Sequence, residues 1–190
     1  MPGKVIGLDL DGVVADYTAA LRARVAAARG VDPDTLPEPT RWSFADSGWN
    51  LDNDSYLAAH TDAVADGMFA TMPVKPGAVD ALQRLSDDGA HIRIITHRLI
   101  VPGMHARAAT DTVAWLDTVG VPYRDVCFIG DKATVDADVY VEDAPHNIAA
   151  LRGAGRTVIV FDAAYNRDLP SPRAHNWDEA ERLIRAQLHM

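Results

Sequence analysis

Cysteine is nearly absent from the chain, which contains only Cys127. A single cysteine excludes an intrachain disulfide and every zinc site built from a cysteine cluster. Basic residues are also scarce, because 18 lysines and arginines stand against 27 aspartates and glutamates, for a net charge of −9. The chain lacks the positive surplus that neutralises nucleic-acid phosphates, so we expect no DNA or RNA polymer as a partner.

Long apolar runs are missing as well. No stretch approaches the length of a membrane span, and the residues after Met1 lack the charged and apolar regions of a secretory signal. We therefore expect a cytoplasmic protein without a membrane partner. The hydrophobic content of 48% nevertheless suits a packed core, and 190 residues suit one domain or one domain with an insertion.

Short apolar runs alternate with helix-like segments along most of the chain. The predicted strands are 5–8, 91–95, 125–129, 138–141 and 157–161. The predicted helices are 17–29, 78–86, 110–118 and 145–152. Such alternation is typical of βαβ units, so the sequence predicts an α/β fold with a Rossmann-like parallel sheet and helices on both faces.

One segment after the first strand, residues 16–75, interrupts this alternation. We predict that it forms a small helical cap, inserted into a core made of residues 1–15 and 76–190. The segment concentrates the aromatic residues Trp42, Phe44, Trp49, Tyr56 and Phe69. Rings in a cap could stack on a flat substrate, although a small cap also needs a core of its own, and both interpretations stay open for each ring.

Polar side chains gather where the predicted strands end. They are Asp9 and Asp11 after the first strand, Thr96 after the second, Lys132 after the third, and Glu142 and Asp143 after the fourth. Ligands of open α/β sheets bind beyond these carboxyl ends. Carboxylate oxygens suit Mg²⁺, a hydroxyl and an ammonium group bind phosphate oxygens, and a carboxylate can attack phosphorus. The sequence therefore predicts phosphoryl chemistry at this edge of the sheet.

These motifs, in this order, resemble those of the haloacid dehalogenase-like phosphohydrolases. In finer detail the chain is similar to the 5′(3′)-deoxyribonucleotidase branch of that superfamily. The similar segments are 9–16, 76–78, 131–135, 138–143, Tyr165-Asn166 and Trp177. The chain departs from the branch where Gly130 replaces a common Arg, Glu142 replaces an Asp, and His97-Arg98 replaces Ser-Pro.

The resemblance implies a role for each motif residue. Asp9 is the implied nucleophile and a Mg²⁺ ligand, and Asp11 gives its backbone carbonyl to the metal and its carboxyl group to acid–base catalysis. Thr96 and Lys132 are the implied phosphate-binding residues. Asp143 completes the implied metal site, and Glu142 is implied to support the metal ligands without contacting the metal itself. His97 follows Thr96 at the mouth of the crevice, where phosphate contact and an exposed loop position are equally open interpretations.

The sequence thus predicts a Mg²⁺-dependent phosphomonoesterase that acts on a small phosphorylated metabolite through an aspartyl-phosphate intermediate. A (deoxy)nucleoside monophosphate is the expected substrate, with Trp42, Phe44, Trp49 and Phe69 as candidate substrate contacts. A phosphatase for another small ester, such as a sugar phosphate, is the enzyme alternative. A catalytically silent phosphate-binding module is the alternative of a different class. A signalling receiver fits less well, because receivers are shorter and carry their phosphorylated Asp on a later strand.

Overall fold

The computed structural model of the protein describes residues 3–190, so that the first two residues of the predicted core segment lie outside it. Within this range six strands form one parallel sheet. The strands are β1 Val5–Leu8, β2 His91–Thr96, β3 Tyr123–Phe128, β4 Val139–Glu142, β5 Val158–Phe161 and β6 Arg173–Ala174. Their order across the sheet is β3-β2-β1-β4-β5-β6.

Helices connect the strands and build the segment after β1. They are α1 Tyr17–Arg29, α2 Asn53–Ala65, α3 Ala78–Asp87, α4 His105–Val119, α5 Pro145–Gly153 and α6 Trp177–Leu188. Among residues 3–190, none of the helices combines the length and the apolar character needed to cross a lipid bilayer. The ends of α1 are determined by the residues that flank it. The Asp16 side chain accepts a hydrogen bond from the Ala19 amide at the start of the helix, and Gly30 ends the helix with a φ of 65°.

Every strand and helix predicted from the sequence is present, with small shifts at its ends. The largest shift is in α4, which begins at His105 rather than at position 110. Three elements were not predicted individually: α2, which lies in the segment predicted only as a helical cap, β6 and α6. The two-residue β6 has no periodicity of its own and exists because it pairs with β5. Helix α6 did carry a signal, since its buried residues Trp177, Ala180, Ile184 and Leu188 follow a helical spacing.

Alternate residues of the strands face two separate layers of helices. Val141 of β4 belongs to a large apolar cluster together with Leu82 of α3, Leu116 of α4 and Ile184 of α6. The residue before it in the strand, Tyr140, belongs to a second cluster that includes residues of α5. Helices therefore cover both faces of the sheet, and the predicted α/β class is confirmed.

The segment between β1 and α3 leaves the sheet and returns to it at one narrow point. The Asp16 amide donates to the Pro73 carbonyl at 2.8 Å, and the Lys75 amide donates to the Val14 carbonyl at 2.8 Å. The outgoing and returning chains thus run side by side. This pairing supports our proposal that residues 16–75 are a cap inserted into the core.

Trp49 lies at the centre of this segment, with none of its surface exposed. Its indole Nε1 donates to the Pro37 carbonyl at 2.7 Å, and its ring lies 5.0 Å from the Phe44 ring. The guanidinium of Arg22 lies 5.7 Å from the indole centroid on another side. Trp49 therefore packs the interior of the cap.

Replacing Trp49 by alanine should destabilise the protein, because it leaves a large cavity and an unpaired carbonyl. Loss of a buried Trp typically costs about 3–5 kcal/mol of unfolding free energy. Trp42→Ala is the matched control, since the Trp42 side chain is 50% exposed and its loss should cost less than about 1 kcal/mol. Denaturant unfolding of both variants measures the difference, and equal losses would contradict a core role for Trp49.

Candidate active site

The site lies where the direction of the chain across the sheet reverses. From β1 the chain proceeds to β2 and β3 on one side, whereas β4 lies on the other side of β1 and leads to β5. Crevices for ligands form beyond the carboxyl ends of strands at such a point. A cavity of about 370 Å³ opens there. Its lining includes all of the sequence-predicted polar residues except Glu142, namely Asp9, Asp11, Thr96, His97, Lys132 and Asp143.

Lys132 bridges two carboxylates on the floor of this cavity. Its Nζ lies 2.7 Å from Asp9 Oδ1 and 2.7 Å from Glu142 Oε2, and the residue is only 4% exposed. Burial by itself lowers the pKa of a lysine, but the attraction of Asp9 and Glu142 outweighs it and raises the pKa of Lys132. The ammonium group is therefore charged and fixed beside Asp9.

Glu142 uses both of its oxygens inside the protein. Oε2 pairs with Lys132, while Oε1 accepts hydrogen bonds from the amides of Asp143 at 3.2 Å and Ala144 at 3.0 Å. Burial opposes ionisation, but Lys132 and these donors outweigh it, so the pKa of Glu142 is lowered. Glu142 is thus an anion that holds Lys132 and the start of the segment after β4.

Asp143 has one occupied and one free carboxylate oxygen. Oδ2 accepts a hydrogen bond from the Tyr165 hydroxyl, and burial together with Asp143 raises the pKa of Tyr165, so that this hydroxyl remains a donor. The backbone carbonyl of Asp143 accepts from Asn166 Nδ2 at 2.8 Å. Within the described residues, Oδ1 is buried and has no hydrogen-bond partner. A buried carboxylate oxygen in this state is suited to a cation.

The donor set fits a divalent cation. One carboxylate oxygen from each of Asp9, Glu142 and Asp143 can be chosen so that all three lie within 4.8 Å of one another. Counting Asp11, the site holds four carboxylates, and among residues 3–190 two basic side chains, Lys132 and Arg98, pair with them. The fully ionised site therefore carries two uncompensated negative charges. Hard oxygen ligands and this excess charge are what Mg²⁺ requires.

Burial and the negative charge of the site also change the pKa values of its carboxyl groups. In the absence of a cation, burial and then the charge of Glu142 raise the pKa of Asp9 well above its ordinary value. The same two causes raise the pKa of Asp143 to about 8. Both groups therefore gain from a cation that favours their charged forms.

Gly12 allows the loop after β1 to approach the end of β4. Its φ is 88°, a conformation that residues with a side chain rarely adopt. A Cβ atom at this position would also lie 1.9 Å from Asp143 Oδ2. The Asp-x-Asp segment and the acidic pair can therefore meet only because residue 12 is a glycine.

Thr96 and His97 lie at the end of β2. The Thr96 hydroxyl is buried, with 1% of the residue exposed, and it has no partner among the described residues. It is thus free to bind a group that enters the cavity. His97 is exposed and packs over Gly130, where a Cβ would lie 3.2 Å from its Nε2. The small residue at 130 leaves room for the imidazole at the mouth of the cavity.

Asp11 stands apart from the other carboxylates, because it pairs with Arg98. Arg98 Nη2 lies 2.6 Å from Asp11 Oδ1, and Nε lies 3.0 Å from Oδ2. The sequence marked Arg98 only as a departure from the resembling branch and gave it no role. A charged residue at the end of an apolar strand could have been singled out from the sequence. Its pairing with Asp11 could not, because that contact depends on how β1 and β2 pair.

The cap aromatics divide into two groups. Trp42, Phe44 and Phe69 line the cavity, as predicted candidates for substrate contact should. The interpretation of Trp49 as a substrate contact is wrong, since the residue is fully buried within the cap and is not among those that line the cavity. The sequence could not distinguish Trp49 from the other cap rings, because all of them are aromatic and their burial depends on the tertiary structure.

Other residues of the cap also line the cavity. Sequence reasoning left the Tyr56 ring open as a substrate contact or a core residue, and it gave no role to Tyr17 and His60. The Tyr17 hydroxyl lies 2.8 Å from His60 Nδ1 and 3.0 Å from the Tyr56 hydroxyl. Burial lowers the pKa of His60, which favours its neutral form. The Phe44 ring stacks on Tyr56 with 4.9 Å between centroids and 8° between planes. The cap side of the cavity therefore combines aromatic rings with this hydrogen-bonded group and with the polar side chains of Thr18, Arg41, Ser43 and Asn53.

Trp42 connects the cap rings that line the cavity to the core. Its ring lies edge-on to His146 at 5.1 Å and to Tyr165 at 5.3 Å between centroids. His146 belongs to α5, and Tyr165 is the residue that donates to Asp143. The loop that carries Trp42 thus reaches across the cavity from the cap to the side of the acidic pair.

Sequence comparison finds a matching family and named relatives for this chain. Residues 3–189 match the family described as 5′ nucleotidase, deoxy (Pyrimidine), cytosolic type C protein. A Chlorobaculum tepidum protein, provisionally named a 5′(3′)-deoxyribonucleotidase, is 43% identical over 185 residues, which cover 96% of this chain and 90% of that protein. The 5′(3′)-deoxyribonucleotidase of Bacillus subtilis is 35% identical over 65 residues, or 34% of this chain and 36% of that one.

Solved structures agree on the fold. A predicted phosphatase from Clostridium acetobutylicum superimposes with a TM-score of 0.63 at 13% identity, over 97% of this chain and 99% of that one. A haloacid dehalogenase-like family hydrolase from Streptococcus pneumoniae gives 0.59 at 14% identity, over 96% of this chain and 99% of that one. The chain is therefore a haloacid dehalogenase-like phosphohydrolase and belongs to the 5′ nucleotidase, deoxy (pyrimidine), cytosolic type C family of phosphoric monoester hydrolases.

Proposed function

We propose that this protein hydrolyses the phosphate ester of a (deoxy)nucleoside monophosphate through an aspartyl-phosphate on Asp9, with Mg²⁺ as its cofactor. The observation that carries the proposal is a single cavity with Asp9, Thr96 and Lys132 at its floor and stacked aromatic rings at its cap side. A phosphate at the floor would direct the rest of the substrate toward those rings. We extend the proposal to a cytoplasmic location, where nucleoside monophosphates occur.

Asp9 is oriented for attack by contacts to one of its oxygens. Oδ1 accepts a hydrogen bond from the Leu10 amide at 2.8 Å and pairs with Lys132 at 2.7 Å. In the proposed first step the other oxygen, Oδ2, forms a bond to phosphorus while the ester P–O bond breaks. The free Thr96 hydroxyl and the Lys132 ammonium group offset the charge on the phosphoryl oxygens.

Proton transfer is the proposed role of Asp11. In the first step its carboxyl group gives a proton to the leaving alkoxide, which departs as the nucleoside. In the second step Asp11 takes a proton from water as the water oxygen attacks phosphorus. The bond between phosphorus and Asp9 then breaks, which releases phosphate and restores the aspartate.

We propose that Asp9, Asp143 and the backbone carbonyl of Asp11 hold the Mg²⁺ ion. The unpartnered Oδ1 of Asp143 supports this choice, whereas both oxygens of Glu142 are already engaged. When bound, the ion supplies positive charge against the phosphate oxygens. Glu142 then acts on Lys132 rather than as a ligand.

The cap favours a nucleotide over a sugar phosphate. Stacking a base on an aromatic ring contributes roughly 1–3 kcal/mol, which a base-free ester does not gain. The cap side also offers polar groups, namely the hydrogen-bonded set of Tyr17, Tyr56 and His60 and the side chains of Thr18, Arg41, Ser43 and Asn53. The preference for a base therefore rests on the stacked rings. The complete set of phosphate-directed residues argues against a silent binding module.

Phosphate release from a panel of esters with Mg²⁺ tests the substrate. We expect kcat/KM for deoxyribonucleoside monophosphates to exceed that for ribose 5-phosphate at least about tenfold, which corresponds to about 1.4 kcal/mol. Phe44→Leu keeps the apolar bulk but removes a ring of the cavity wall. It should lower kcat/KM for the nucleotides and leave that for ribose 5-phosphate nearly unchanged. Equal losses on both substrates would point to a structural role for Phe44 and remove the argument for a base.

Replacing Asp9 by asparagine should abolish turnover, because an amide is not an anionic nucleophile. The side chain keeps its shape, so thermal unfolding should remain close to that of the wild type. Steady-state kinetics with the best substrate of the panel measures the loss. Activity within about tenfold of the wild type, a barrier change of only about 1.4 kcal/mol, would rule out Asp9 as the nucleophile.

Mg²⁺ should raise the melting temperature, and more strongly at about pH 9 than at about pH 6. The folded pKa of Asp143, about 8 without a cation, lies above its ordinary value of 3.8. The protonated form is therefore the more stable one in the ion-free protein, and stability falls as pH rises through this interval. A cation needs the ionised form and offsets that loss.

Differential scanning fluorimetry with and without saturating MgCl₂ measures this effect without any substrate. Asp143→Asn is the matched variant, since it is isosteric and cannot ionise. It should lose most of the Mg²⁺-induced shift and its dependence on pH. An undiminished shift in this variant would move the metal site away from Asp143.

A further inference from the structure

Arg98 is the most deeply buried cation of the cavity wall, with 1% of its surface exposed. It follows the end of β2 and reaches Asp11 with two parallel hydrogen bonds, Nη2 to Oδ1 at 2.6 Å and Nε to Oδ2 at 3.0 Å. This fork-to-fork pairing fixes the plane of a carboxylate as well as its position. A lysine, with its single ammonium group, could not define that plane.

The guanidinium is itself fixed on its other sides. Nη1 donates to Thr112 Oγ1 of α4 at 3.1 Å, and Nη2 contacts Met72 Sδ at 3.3 Å. The Phe69 ring lies 4.4 Å from the guanidinium carbon, and the Trp115 ring lies 5.9 Å from it. Each nitrogen of Arg98 already has a protein partner, so Arg98 is placed to hold Asp11 and not to bind a phosphate.

Without such a partner, Asp11 would have little to define its rotamer. It lines the cavity two residues after Asp9, and its side chain is 26% exposed. Lys132 cannot hold it, because that ammonium group bridges Asp9 and Glu142. Each of the two basic side chains therefore holds one carboxylate of the Asp-x-Asp segment. Lys132 pairs with Asp9, the proposed nucleophile, and Arg98 pairs with Asp11.

We propose that Arg98 is a positioning residue that holds the Asp11 carboxyl group at the site of proton transfer to the leaving group. The inference rests on the proposed acid–base role of Asp11. Proton transfer requires the two heavy atoms to lie within hydrogen-bond reach, and it contributes about 10²- to 10⁴-fold to rate. Small misplacements of a catalytic group cost much of such a contribution.

The test compares two leaving groups in the full-length protein with Mg²⁺. A nucleoside monophosphate expels a basic alkoxide that needs a proton, whereas nitrophenyl phosphate expels a weakly basic phenolate that does not. The comparison uses kcat/KM, which reports the first step, because the second step needs Asp11 whichever group has left. Arg98→Met should lower kcat/KM for the nucleotide about 10- to 100-fold. It should lower kcat/KM for nitrophenyl phosphate less than about threefold. Thr112→Val, which removes one contact of Arg98 but leaves Asp11 paired, should retain most of the activity on both substrates.

A double-mutant cycle separates positioning from general damage. If Arg98 acts through Asp11, Arg98→Met in the Asp11→Asn background should change kcat/KM for the nucleotide less than about threefold. Arg98→Lys, which keeps the charge but loses the fork, supplies the same comparison should the methionine variant fail to fold. Additive effects in the cycle, or equal losses on both leaving groups, would overturn the inference while wild-type activity and its dependence on Asp9 remain. A wild-type protein without phosphatase activity would overturn the proposed function, and this inference with it.

Discussion

The ion pair of Lys132 with Asp9 and Glu142 is the interaction on which the rest of the site depends. Several carboxylates are brought out of water at one edge of the sheet, and their burial, followed by their mutual repulsion, raises the pKa of Asp9 and Asp143. Lys132 opposes this rise at Asp9 and outweighs burial at Glu142, because its ammonium group lies 2.7 Å from each carboxylate and favours the charged form. Charge remains uncompensated on the side of Asp143, which is where a divalent cation fits.

The scaffold is organised to bring these groups together. Parallel pairing of β1 with β2 and β4 places three strand ends side by side, and Gly12 allows the loop after β1 to pass directly over Asp143. The segment after β5 secures the same region, since Tyr165 and Asn166 bond to the side chain and backbone of Asp143. Arg98 extends this support to Asp11. The proposed catalytic groups are thus held by hydrogen bonds from elements that are distant in sequence.

The cap contributes a surface of different chemistry. Its rings serve two purposes, because Trp49 packs the interior while Phe44 and Phe69 face the cavity. Trp42 reaches from the cap to Tyr165 and so lies close to the acidic pair. A charged floor beneath an aromatic wall suits a ligand with a phosphate at one end and a flat apolar group at the other. A nucleoside monophosphate has that form.

The sequence by itself determined the α/β class, most of the helices and strands, and the identity of the strand-end residues from Asp9 to Asp143, because apolar periodicity and short motifs are local properties of the chain. It could not rank Trp49 against Trp42, since burial of a ring depends on what packs around it. It also missed β6, a two-residue strand that exists only through its pairing with β5. The pairing of Arg98 with Asp11 was decided by the tertiary structure alone, because the two residues are 87 positions apart and meet only when β1 and β2 lie side by side.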